Sequence, residues 1–138
     1  MSRLDVLRKK HLLVKAFEAR YNIAMNVQLI RSRIDHDTLI KLAKENYGEM
    51  IKGVVDVTRE IVALGGELHA DAQAALLQDG SRSEDIWGFN IYVEKPRPQR
   101  MDYTSFINVR PSAGNRSMEV QDHTLRKRMR SIVDSLVE

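Results

Sequence analysis

No cysteine occurs among the 138 residues. Structural disulfides and thiolate metal sites are therefore excluded, and a reducing compartment is the natural setting. No apolar run approaches the roughly 20 residues that a helix needs to cross a bilayer, so a cytoplasmic chain without membrane contact is expected. The sequence has neither a P-loop nor a dinucleotide-binding fingerprint, and it shows no internal repeat. What is present is ordinary: 43% apolar and 30% charged residues, a balance that argues against disorder. The length suits one domain with its own core and leaves little room for two.

The net charge of +3 is unevenly spread. Residues 1–24 carry Arg3, Arg8, Lys9, Lys10, Lys15 and Arg20 against Asp5 and Glu18, a net of +4. Residues 25–138 hold 16 basic and 17 acidic side chains, so a uniformly cationic nucleic-acid-binding body is not indicated. Leu4, Leu7, Val14 and Tyr21, with Leu13, Phe17 and Ala24 widening the stripe, make residues 4–24 an amphipathic basic helix. The segment reads either as an extension before Met25 or as a helix packed on the domain or on a second copy. Nucleic acid is expected to reach this chain only through that segment or the last helix.

From Met25 the pattern predicts a strand to Ile30, then a helix capped by Asp35 with Leu39, Ile40, Leu42, Ala43 and Tyr47 buried and Gly48 just past its end. Residues 51–57 and 61–64 read as two strands, apolar on both faces and so interior to a sheet. Ala70 to Gln78 is helical by propensity. Residues 86–93 alternate, with Trp87, Phe89, Ile91 and Val93 on one face. Pro96 and Pro98 mark a solvated connection, and residues 103–110 read as a strand stopped by Pro111. Asp122 caps a last helix whose stripe is Leu125, Met129, Ile132, Val133 and Leu136; the charged run at 126–130 reads mainly as its solvated face. The order βαββαββα predicts a single α+β domain over 25–138, with a mixed, largely antiparallel sheet of four to five strands and three packed helices.

Two polar constellations stand out. Glu67, His69 and Asp71 follow the pair Gly65-Gly66 at alternate positions. In extended backbone, Glu67 and His69 share a face, and a carboxylate beside an imidazole is the arrangement of general acid–base catalysis. Three N/O ligands also admit a divalent metal, but the spacing matches no zinc motif and no second histidine is near. The plainer reading has Asp71 at the helix start and His69 bonded locally. The second constellation is Asn108, Arg110, Asn115 and Arg116, and Asn90 joins the face of Asn108 if the strands at 86–93 and 103–110 pair. Arg110 and Arg116 suit a carboxylate or phosphate, and the plainer reading is a structural loop in which an arginine pairs with Asp85 or Glu67. Trp87 reads as core.

Several runs together resemble one family of small prokaryotic proteins, catalogued only as a domain of unknown function. They are Val54-Val55-Asp56-Val57, Gly65-Gly66-Glu67-Leu68-His69-Ala70-Asp71-Ala72, Trp87-Gly88-Phe89-Asn90-Ile91-Tyr92, Ile107-Asn108-Val109-Arg110-Pro111-Ser112 and Gly114-Asn115-Arg116-Ser117. The resemblance spans about residues 25–138, leaves out 1–24, and implies no reaction and no catalytic residue. The two constellations and the basic N-terminal segment support three expectations. One is a module binding a small anion, with Glu67, His69 and Asp71 on one wall and Asn90, Asn108, Arg110, Asn115 and Arg116 on the other. Another is a hydrolase-type enzyme with His69 as acid or base, oriented by Glu67 or Asp71 and aided by Arg110. The last is an interaction module working through the basic N-terminal helix.

Overall fold

The computed structural model describes residues 2–10 and 26–138, with residues 3–10 helical. The remainder of the expected helix at 4–24 lies outside the described residues. The domain contains β1 (Val27–Ile30), α1 (His36–Lys44), β2 (Met50–Asp56), β3 (Ile61–Gly65), α2 (His69–Gln78), β4 (Ile86–Tyr92), β5 (Met101–Asp102) and α3 (His123–Leu136). The strands form one five-stranded sheet in the order β1-β3-β2-β4-β5, and every pairing is antiparallel. This is an α+β domain. Among the described residues no helix is long and apolar enough to cross a membrane.

Strand alternation sends successive side chains to opposite faces, and here both faces are covered. Ile51, Val55, Val62, Leu64, Trp87, Phe89 and Ile91 meet Leu39, Leu42 and Ala43 of α1 and Met129, Ile132 and Val133 of α3. On the other face Val54, Ile61, Ala63 and Ile86 meet Ala72 and Leu76 of α2. The apolar runs of β2 and β3 thus occupy the sheet interior, as their composition requires. Asp35 caps α1 by accepting from the Thr38 amide at 2.8 Å, and Asp122 caps α3 through the Thr124 amide at 2.8 Å.

Two expectations are corrected. Tyr47 lies beyond the end of α1, is 53% exposed, and donates its hydroxyl to the Glu67 carbonyl. Residues 103–110 are not a strand. Thr104 makes an isolated bridge to Glu119, then residues 106–108 form a 3₁₀ turn. Ser105 drives this change: its hydroxyl accepts from the Ile107 amide at 3.3 Å and its carbonyl from the Asn108 amide at 3.1 Å. Such local bonds compete with a ladder and here replace it. The fifth strand is instead the two-residue β5, so the outer edge of β4 from Ile86 to Gly88 has no strand partner among the described residues.

Candidate functional site

Gly65 and Gly66 end β3 with φ of 111° and 91°, a region that side-chain-bearing residues rarely enter. A Cβ on Gly66 would sit 2.7 Å from the Cβ of Asp71. The sharp bend starts α2 at His69, so the strand does not continue to His69 and Glu67 does not share a strand face with it. The first residue before α2, Leu68, has no polar side chain, and the Asp71 carboxylate accepts from its amide at 3.0 Å. That carboxylate also sits favourably in the first helical turn. Glu67 is exposed. Among the described residues no three His, Asp or Glu side chains are grouped as metal ligands.

His69 is 8% exposed. Its Nε2 lies 2.8 Å from the Phe89 carbonyl oxygen, which can only accept, so Nε2 carries the proton when the ring is neutral. Burial lowers its pKa from the ordinary 6.5 and the Lys52 ammonium adds to this; the Phe89 carbonyl, Asn90 and Asp102 act the other way. Lys52, Asn90 and Asp102 are register partners across β2, β4 and β5, and form a polar row on the α2 side of the sheet. The Asn90 amide donates to Asp102 Oδ1 at 2.8 Å and to the Thr104 carbonyl at 3.1 Å. Both partners are acceptors, which fixes the amide orientation and leaves Asn90 Oδ1 buried without a donor among the described residues. The Asp102 charge in turn raises the Tyr92 phenol, with burial and a hydrogen bond to Asp102 adding to it.

The second constellation closes the open edge of β4. Asn108 is fully buried; its Oδ1 accepts from the Gly88 amide at 2.8 Å and its Nδ2 donates to the Gly88 carbonyl at 2.9 Å. Gly88 permits this approach, since a Cβ there would lie 2.6 Å from that of Ser105. Asn115 donates to the carbonyls of Asn108, Ser117 and Glu119 and accepts from the Gln121 amide at 2.9 Å. Arg110 donates to the carbonyls of Ile86 and Ile107, and its guanidinium carbon lies 4.4 Å from the Trp87 ring centroid. Arg110 is half-buried and burial lowers its pKa. It makes no ion pair among the described residues, and its Nη1 is buried without an acceptor. Arg116 is exposed and likewise has no ion pair there. A cavity of about 390 Å³ adjoins this corner, lined by Trp87, Ala113, Gly114, Asn115, Gln121, Asp122 and Leu125.

The tertiary structure thus brings His69 to Asn90 but does not build one site from two walls. His69 anchors at the carbonyl of Phe89 and Arg110 at that of Ile86, three residues along β4 and about 10 Å apart at ~3.3 Å per residue. Lys52 and Asp102 were missed by sequence reasoning. Lys52 had a signal, as the one charged position inside the apolar run of residues 51–55; Asp102 had none, because only register carries it to Asn90.

One family model, described as "Protein of unknown function (DUF5674)", matches residues 28–136. No curated protein and no solved structure matches the chain. The matched span contains all five strands except the first residue of β1, all three domain helices and both polar constellations. The chain belongs to the DUF5674 family of proteins of unknown function.

Proposed function

We propose that this domain binds a small anionic ligand, bearing a carboxylate or phosphate, at the corner formed by Trp87, Arg110 and the loop through Arg116. One observation carries the reading: Arg110 is a half-buried cation with no carboxylate partner among the described residues and with one guanidinium nitrogen lacking any acceptor. A charge withdrawn from water without a counter-charge is costly. The Trp87 ring and two carbonyls offset part of that cost, and a ligand oxygen would supply the missing acceptor. The adjoining cavity shares Trp87 and Asn115 with this corner, and the exposed Arg116 follows Asn115 in the same loop as a second cation. Nη1 itself is closed to solvent, so engagement requires a shift of the Arg110 side chain. The hydrolytic reading has less support, because His69 is buried, is bonded to a backbone carbonyl, and is anchored away from Arg110.

Trp87 is the sole tryptophan and reports directly on this corner. Phosphate- and carboxylate-bearing compounds, each matched with a neutral analogue, should change its emission saturably, and Arg110→Ala should abolish the response. Absence of any anion response in the wild type, or an unchanged response in Arg110→Ala, overturns the proposal.

A further inference from the structure

Charge is segregated on this domain. Acidic and basic residues nearly balance over residues 25–138, yet Arg126, Lys127, Arg128 and Arg130 fall within five positions of α3. Two of them are engaged. Arg128 pairs with Glu60 at 3.1 Å and donates to the Val57 carbonyl. Arg126 donates to the Val120 carbonyl, lies 3.8 Å from Glu119, and sits over the Tyr103 ring at 5.1 Å from its centroid. Lys127 and Arg130 are exposed and form no ion pair among the described residues.

Residues four apart share a helix flank, so Arg126 and Arg130 lie on the same side of α3. Arg126 covers one side of the half-buried Tyr103 ring, and Arg130 follows one helical turn later on the same flank; burial raises the Tyr103 phenol, and both cations act the other way. The nearby Asp134 carboxylate is neutralised by Arg100 at 3.0 Å. We propose that this flank of α3, with Lys127 and Arg130 as free cations and Tyr103 as the aromatic element, docks a nucleic-acid strand. Exposed cations suit phosphates, and a base reaches the Tyr103 face that Arg126 covers once Arg126 turns to a phosphate. A membrane surface fits less well, because the solvent-facing positions of α3 are His123, Thr124, Lys127, Arg128, Arg130, Ser131 and Ser135, with no large apolar side chain to enter the acyl boundary.

The test uses the full chain and short labelled oligonucleotides of mixed sequence, single-stranded and duplex, followed by fluorescence anisotropy across a salt series. Wild-type affinity should fall as salt rises. The double variant Lys127→Gln, Arg130→Gln should bind more weakly, with its log–log salt slope reduced by about 0.7 for each single-strand phosphate that it no longer neutralises. Neither side chain holds the fold, so thermal melting should be unchanged. Tyr103→Leu should weaken single-strand binding more than duplex binding. Three results overturn the proposal: no binding at low salt, an unchanged affinity and slope in the double variant (which assigns binding to residues 1–24), or capture by anionic-lipid vesicles without nucleic-acid binding. Arg110→Ala should leave the salt slope intact, which separates this surface from the small-anion corner.

Discussion

The side-chain amide of Asn108 pairs with both backbone groups of Gly88, accepting from its N–H at 2.8 Å and donating to its carbonyl at 2.9 Å. One side chain does here what a neighbouring strand does elsewhere along β4. Replacing Asn108 by Ala would leave a buried amide and carbonyl unpaired, at a cost of about 2–4 kcal/mol. Urea unfolding of Asn108→Ala measures it, and a wild-type midpoint would show that water or a shifted backbone fills the role.

His69 makes stability depend on pH with a defined sign. An unfolded histidine titrates near 6.5, and burial in the fold lowers that value. Between the two, the unfolded chain binds more protons, so stability present above 6.5 is lost as pH falls toward the lowered folded pKa. His69→Gln cannot titrate but keeps an N–H for the Phe89 carbonyl. From about pH 7.5 to about pH 5, the wild-type urea midpoint should fall more than that of the variant; parallel curves would refute the assignment.

Asp71 caps the start of α2 rather than facing a ligand. Asp71→Ala should cost about 1 kcal/mol, the usual loss for a helix N-terminal cap, and leave the Trp87 response to anions unchanged. Loss of that response at full stability would instead return Asp71 to a binding role.

Arg110 acts through its planar fork as well as its charge. Arg110→Lys keeps the cation but cannot reach the carbonyls of Ile86 and Ile107 together, nor stack on Trp87 in the same way. A stability loss of about 1–2 kcal/mol is expected, read from denaturant unfolding followed by Trp87 emission. A variant as stable as wild type would mean that charge alone holds this corner.

Much of the domain was legible in the sequence. Asp35 and Asp122 stand where helix caps are needed, the two-sided apolar runs of β2 and β3 lie inside the sheet, and the period-2 pattern of residues 86–93 sends Trp87, Phe89, Ile91 and Val93 into the larger core. The polar sites were legible only as lists of residues. Asn108 and Asn115 carry the same amide chemistry whether they meet a ligand or a backbone carbonyl, and nothing local tells these apart. Residues 103–110 have strand-like composition, but the bonds made by Ser105 and the closeness of Gly88 turn them away from the ladder.

By itself the sequence determined the three domain helices, strands β1 to β4, the caps of α1 and α3 and the exclusion of disulfides, because periodicity and side-chain chemistry act over a few residues. Only the tertiary structure decided that Lys52, Asn90 and Asp102 form one row, that His69 rests on Phe89, and that Arg110 lies on Trp87 with no carboxylate partner among the described residues. Those relations depend on strand register and on which edge of β4 a short fifth strand leaves open, and both are set by packing between segments far apart in the chain.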